Sequence, residues 1–192
     1  MIIIGITGSI GCGKTTIANT LRKQGELVWD VDKWVKFLYY KKDFLNNLKE
    51  IFPEAFANNQ FNKRCLRNIV FNDNNKLKIL ENIIHPYLEN KFRKIIRKNA
   101  KNNYLAFIDI ALLFEMGWDR YCDYIVLADV DKEVQIKRVM LRDGISRDDF
   151  EKIDKIQMSQ DKKKKMVDFI IDTNIDINKL KLKIINLLEE LK

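Results

Sequence analysis

Gly8-Ser9-Ile10-Gly11-Cys12-Gly13-Lys14-Thr15 satisfies the spacing G-x-x-x-x-G-K-[ST]. Its flanks are those the pattern requires. Upstream, residues 2–6 are a short apolar run rich in isoleucine, the signature of a buried strand in a parallel sheet. Downstream, Ile17, Ala18 and Leu21 recur at helical spacing, and Gly25 closes that helix. Glycines let the backbone curl so that successive N–H groups point inward and form a nest for phosphate oxygens. The helix N-terminus adds roughly half a positive charge at the same point. In this geometry Lys14 reaches the β- and γ-phosphates and the Thr15 hydroxyl ligates Mg²⁺. The stretch therefore predicts a nucleoside-triphosphate site.

Beyond it, residues 27–29 form a second apolar strand, closed by Asp30-Val31-Asp32, so the chain opens β–loop–α–β. Residues 34–101 contain no clear strand. Apolar residues recur helically there (Phe44, Leu45, Leu48, Ile51, then Leu80, Ile83, Ile84, Leu88), punctuated by Pro53 and by His85-Pro86. A helical insertion follows from this, with a basic polar face of Lys91, Arg93, Lys94, Arg97 and Lys98. The α/β pattern resumes with strands expected over 104–110, 124–128 and 169–171. A polar helical stretch spans 152–165, and a last helix carries Leu180, Ile184, Ile185 and Leu188.

The carboxyl ends of parallel strands share one edge of the sheet. Asp30 and Asp32 stand at that edge, and their spacing of two sends both carboxylates to one side if the chain stays extended. Phosphoryl transfer needs an acceptor hydroxyl in line with the γ-phosphate and a carboxylate to take its proton. One of the two acids can serve there; Asp32 also suits a helix N-cap. Arg138, Arg142 and Arg147 flank Arg142-Asp143-Gly144, a mobile basic lid that would neutralise charge on the transferring group and exclude water. A GTPase would want Asn-Lys-x-Asp, and Asn178-Lys179-Leu180-Lys181 lacks the Asp; an ABC-type Ser-Gly-Gly signature is absent. Nest, acid and lid together suit a small-molecule kinase. The expected fold is α/β: a P-loop kinase with a doubly wound, parallel five-stranded sheet, a helical substrate-binding insertion and a lid. The core takes residues 1–33 and 102–192 (lid about 138–165), and the insertion residues 34–101.

The 192 residues suit one core domain with an insertion, and 46% hydrophobic residues supply a packed interior. The net charge of +8 fits an anionic partner. Three cysteines make neither a disulfide framework nor a CxxC metal site. No apolar run approaches the ~20 residues of a membrane span, and residues 1–8 lack a basic leader region. A cytoplasmic protein is expected, with no membrane and no nucleic-acid partner, as a monomer or weak homo-oligomer. A nucleic-acid-binding NTPase is the competing class, motivated by the charge; another nucleoside or nucleotide kinase is the nearer alternative.

From Ile4 to about Asn174 the chain resembles the dephospho-CoA kinase family. The opening resembles that family's Gly-Leu-Thr-Gly-Gly-Ile-Gly-Ser-Gly-Lys, here Gly5 to Lys14. Asp30-Val31-Asp32 matches its Asp-Ala-Asp, and Ile84-His85-Pro86 its [Leu/Ile]-His-Pro. Ala111-Leu112-Leu113-Phe114-Glu115 matches its Pro-Leu-Leu-Phe-Glu. Arg142-Asp143-Gly144-Ile145-Ser146, followed by Gln157, matches its Arg-Asp-Gly-[Leu/Val]-Ser. The resemblance implies ATP and Mg²⁺ as cofactors and dephospho-CoA as the small-molecule acceptor, phosphorylated at its ribose 3′-hydroxyl to give coenzyme A. It implies Asp32 as base, with Lys14 and Arg142 acting on the transferring phosphate. The nucleotide set is Gly8, Gly11, Cys12, Gly13, Lys14, Thr15, Thr16 and Arg138. Asp30, Lys36, His85, Leu113 and Glu115 fall on the acceptor side, and Thr15 and Asp30 are the metal ligands. Asp109 ends a strand where an acid can hold Mg²⁺ through water. His85-Pro86 reads as a fixed helix junction. Several positions depart from the pattern. Ser9 replaces Gly, so the loop must tolerate a side chain. Cys12 replaces Ser, placing a thiol of expected lowered pKa at a helix N-terminus beside Lys14. Lys36 and Lys63 replace Arg, Ala111 replaces Pro, and Thr173 replaces an Asn expected near the adenine.

Overall fold

The computed structural model describes residues 1–102 and 104–191. In chain order the elements are β1 (Ile2–Thr7), α1 (Lys14–Lys23), β2 (Leu27–Asp30), α2 (Val31–Leu38), α3 (Lys42–Ile51), β3 (Phe56–Ala57), β4 (Gln60–Phe61), α4 (Lys63–Phe71) and α5 (Asn74–Asn99). There follow β5 (Leu105–Asp109), β6 (Tyr124–Asp129), α6 (Lys132–Asp143), α7 (Arg147–Ile156), α8 (Gln160–Lys164), β7 (Phe169–Asp172) and α9 (Ile177–Glu190). The chain divides into two compact units, one of residues 1–30 and 100–192, the other Val31–Asn99.

In the first unit five described strands form one sheet in the order β2-β5-β1-β6-β7, and every pairing is parallel. β1 is central, bonded to β5 on one side and β6 on the other, which is why its side chains can be apolar on both faces. Ile4, Ile6, Phe107 and Val126 of the sheet pack with Ile17, Ala18 and Leu21 of α1 and Leu180, Ile184 and Leu188 of α9. The strand order turns about β1: β2 and β5 lie to one side, β6 and β7 to the other. Such a reversal opens a crevice at the carboxyl ends of the strands. The fold is that of P-loop kinases.

The second unit is helical around Phe44, Leu48, Phe52 and Leu66, all buried. Tyr39 stacks on Phe61 and meets Phe44 edge-on, and Phe44 meets Tyr87 edge-on. Two expectations fail here. First, the insertion does contain strands: β3 and β4 pair antiparallel around Asn58-Asn59, whose φ values of 48° and 63° are left-handed. Asparagine tolerates that region, so the pair makes a tight hairpin turn without glycine. Second, His85-Pro86 is no helix junction. Pro86 lies inside the continuous α5. One face of that helix buries Leu80, Ile84, Leu88 and Phe92. Burial of four large side chains outweighs the hydrogen bond lost to one proline. In the first unit, the helix expected over 152–165 is two helices, α7 and α8, separated by residues 157–159.

Candidate active site

The P-loop runs from the end of β1 into α1. Gly11 and Gly13 have φ of 80° and 85°, and a Cβ added at Gly11 would stand 2.6 Å from Val139 Cγ2. Only glycine fits such a position without strain. Gly13 caps α1, and its carbonyl accepts from the Thr16 N–H at 2.9 Å. The first turn of α1 holds no acid, while Arg22 and Lys23 lie in its last turn, so no side-chain carboxylate of that turn opposes the positive helix end. Thr15 is exposed and Thr16 half-buried. Lys14 is ion-paired with Asp109, whose carboxylate is buried at the tip of β5.

Side chains from distant parts of the unit fix the loop's backbone. Gln135 Nε2 donates to the Ile10 carbonyl at 2.6 Å, and the Ile10 N–H donates to Gln157 Oε1 at 2.9 Å. The Ser9 hydroxyl donates to Gln160 Oε1 at 3.0 Å, while Gln160 Nε2 donates to the Ala128 carbonyl at 2.8 Å. Ser9 is thus buried and bonded, and its side chain braces the loop. Thr173 Oγ1 donates to the Cys12 carbonyl at 2.7 Å and accepts from Arg138 Nη1 at 3.0 Å; Arg138 Nη2 donates to the Thr173 carbonyl at 2.9 Å. Arg138, expected on the nucleotide, is anchored to the P-loop through Thr173. Gln135, Gln160 and Thr173 escaped the sequence analysis as loop anchors, because their partners lie more than a hundred residues away along the chain. Cys12 corrects an expectation. Its thiol is buried and pushed up to about 12, chiefly by burial and then by the charge of Asp129. Loss of solvent outweighs the Ser9 hydrogen bond and the charge of Lys163, which favour the thiolate, so it is not an activated thiol.

The strand-tip acids do not sit as spacing alone suggested. β2 ends at Asp30 and α2 begins at Val31, so the chain is not extended through the Asp-Val-Asp motif. Asp30 is the register partner of Asp109 across β2 and β5. Arg22, unremarked in the sequence, approaches both, 3.9 Å from Asp30 and 3.8 Å from Asp109. Asp32 lies in the first turn of α2, where the positive helix end favours a carboxylate. Lys36 is exposed on the same helix. His85 lies within α5, and its Nε2 is buried with no hydrogen-bond partner among the described residues.

Arg138 and Arg142 lie one turn apart on α6. Arg142 is exposed and holds Asp143 through bonds of 2.8 and 2.7 Å. That pairing raises the Arg142 pKa and lowers that of Asp143. Arg147 starts α7 and pairs with Glu133 at 3.3 Å. Beyond β5, Leu113 is fully buried, with its Cδ1 2.5 Å from where a Gly5 Cβ would stand. Glu115 accepts the Met158 N–H at 2.6 Å and lies 3.1 Å from Lys163 Nζ. Among the described residues no cluster of three or more His, Cys, Asp or Glu could hold a metal by itself, and no helix is long and apolar enough to cross a membrane.

The family model for dephospho-CoA kinase matches residues 2–179. A dephospho-CoA kinase of Bartonella henselae is 38% identical over 178 residues, covering 92% of this chain and 91% of the relative. A crystal structure from Thermus thermophilus superposes with a TM-score of 0.87 at 33% identity, covering 100% of this chain and 98% of that one. The dephospho-CoA kinase from Campylobacter jejuni does so with a TM-score of 0.71 at 26% identity, covering 98% and 96%.

Proposed function

The chain belongs to the dephospho-CoA kinase family, and from that premise we propose how its residues phosphorylate dephospho-CoA with ATP to give coenzyme A. The observation that carries the reading is the anchored P-loop between β1 and α1, with Lys14 beside the acid-tipped β5 and β2. The main-chain nest and the start of α1 receive the polyphosphate. Lys14 turns from Asp109 toward the β- and γ-phosphates and answers charge as it spreads over the transferring oxygens. Arg142, on the exposed end of α6, acts on the same oxygens from the lid, and Arg138 helps to hold the nucleotide.

Asp32 is the base. The ribose 3′-oxygen forms its bond to the γ-phosphorus as the bond to the β-phosphate oxygen breaks; ADP leaves, and the 3′-hydroxyl proton passes to Asp32. Lys36 and His85 belong to the acceptor side, in the helical unit, which supports the assignment of that unit to the acceptor. The loop carrying Leu113 and Glu115 completes that side. Mg²⁺ fits the donor set. Thr15 and Asp30 offer hard oxygen ligands and few of them, as suits an ion held largely by phosphates and water. When bound it would shield the phosphate charge. One chain carries nest, acids and lid, which supports catalysis by a monomer or weak homo-oligomer. Dependence on ATP supports a cytoplasmic setting, and a shaped pocket for a small molecule accounts for the positive charge without nucleic acid.

The test is a panel of acceptors with Mg-ATP, following ADP release and mapping the product by NMR. Release is expected with dephospho-CoA and with neither RNA nor DNA, and the new phosphate on the 3′-oxygen. Lys14→Ala should lower turnover steeply. Asp32→Asn should keep ATP affinity and lose roughly 10²–10⁴ in phosphoryl transfer. Normal turnover in Asp32→Asn with a dead Asp30→Asn would show the other carboxylate to be the base.

A further inference from the structure

In sequence, Lys162-Lys163-Lys164-Lys165 is a bare run of charge. In the fold three of these lysines are exposed and Lys163 is fully buried. Its Nζ donates to the Ala111 carbonyl at 3.1 Å and pairs with Glu115 Oε1 at 3.1 Å. The same Ala111 carbonyl accepts from the Thr7 hydroxyl at 3.2 Å, at the end of β1. The same Glu115 oxygen accepts the Met158 N–H. Residues 157, 160 and 163 therefore act together. Gln157 and Gln160 grip Ile10 and Ser9 of the P-loop, and Lys163 grips the loop beyond β5. A buried ammonium is sustained only by close pairing and good hydrogen bonds, and an apolar side chain of similar length would pack there at less cost. Stability alone is therefore a poor account of a charge at this place.

We propose that Lys163, paired with Glu115, is a positioning residue for phosphoryl transfer. It locks the loop of residues 110–116 to the segment that holds the P-loop, and so fixes the acceptor-side loop relative to Lys14. The proposal rests on the kinase reading above and deepens it: Glu115 serves the acceptor by holding its loop in place. A misplacement of about 1 Å at a reacting centre can cost about a hundredfold in rate, so a loosened lock should appear in kcat.

The experiment compares wild type, Lys163→Met, Glu115→Gln and the double variant, with kcat and both KM values taken per folded molecule, the folded fraction being fixed by circular dichroism. Wild-type ADP release with dephospho-CoA checks the kinase reading separately. Lys163→Met is expected to lower kcat by about tenfold or more and to leave the KM for ATP within about twofold. The double variant should regain part of that kcat, because no carboxylate is left facing a lost cation. Amide exchange at residues 111–117 and at Met158 should accelerate in Lys163→Met, a readout that needs no acceptor. If Lys163→Met does not fold, Glu115→Gln, which keeps an acceptor for the Met158 N–H, carries the same expectations. Native kcat in the single variants, losses that multiply in the double, or a loss explained wholly by the folded fraction would overturn the proposal.

Discussion

Thr173 serves two partners with one hydroxyl, donating to the Cys12 carbonyl and accepting from Arg138. Thr173→Val keeps the shape and removes both bonds, leaving a buried carbonyl and a guanidinium N–H unanswered. The expected cost is about 1–3 kcal/mol, read as a lower thermal midpoint, together with a raised KM for ATP because the P-loop backbone loses an anchor. Cys12 gives a prediction of opposite character. With its thiol pushed up to about 12, Cys12 stays protonated through neutral and mildly alkaline pH. Burial favours the protonated form, so the folded state holds this proton more tightly than the unfolded chain. Its contribution to stability is complete below the ordinary thiol range and fades as pH rises toward 12. Alkylation mapped by mass spectrometry should therefore find Cys65, half-buried on α4, modified well before Cys12 between pH 7 and 9. Rapid labelling of Cys12 with ATP absent would contradict this. The residues legible in the sequence are those whose role is set by neighbours in the chain, Gly13, Lys14 and Thr15 above all. The roles of Ser9, Gln160 and Thr173 exist only once β1, β6 and β7 lie side by side, and no local spacing announces them.

At the scale of elements, the buried strands and α1 announce themselves because a sheet covered on both faces demands apolar runs. Proline and asparagine mislead where packing overrides local preference. Asn58-Asn59 turns a hairpin that looks like polar loop, and α5 runs straight through Pro86. The second case can be measured. Pro86 removes one backbone donor and crowds the preceding turn, at about 3 kcal/mol for an interior site. Against this, proline restricts the unfolded chain, a benefit of about 0.4–1 kcal/mol. Pro86→Ala restores a donor toward the Asn82 carbonyl. It should therefore stabilise the protein by about 2 kcal/mol, seen as a higher urea midpoint with an unchanged slope. A fall in the midpoint would mean that the proline ring itself is packed to advantage.

For the whole molecule, parallel pairing sends every strand of the sheet to the same edge, and four of the five finish there in aspartate: Asp30, Asp109, Asp129 and Asp172. Cations meet three of these acids, Lys14 and Arg22 from α1 and Lys164 from α8, and all three lie on helices rather than on the strands. Asp30 and Asp109 are legible at strand ends in the sequence, whereas Asp129, Asp172 and the pairing of each acid with a cation emerge only in the fold. The P-loop and its anchors all belong to the unit of residues 1–30 and 100–192, whereas Asp32, Lys36 and His85 belong to the unit Val31–Asn99. The two ligands should therefore protect different parts of the chain. ATP at about a hundred times its Kd stabilises the state that binds it by about 2.7 kcal/mol. Hydrogen exchange should register that gain at residues 8–17, at the segment 157–163 and around Thr173, with little change across 31–99. Dephospho-CoA alone should slow exchange within 31–99, on α2 and the middle of α5, and in the loop of residues 110–116, and leave α1 nearly unaltered. The division follows from the proposed function: the polyphosphate would meet main-chain amides of the P-loop and the start of α1, and the acceptor would meet side chains of the helical unit together with the loop of residues 110–116. Uniform protection of both units by ATP alone would mean that the nucleotide reaches beyond the sheet, and the separation of roles between the units would have to be abandoned.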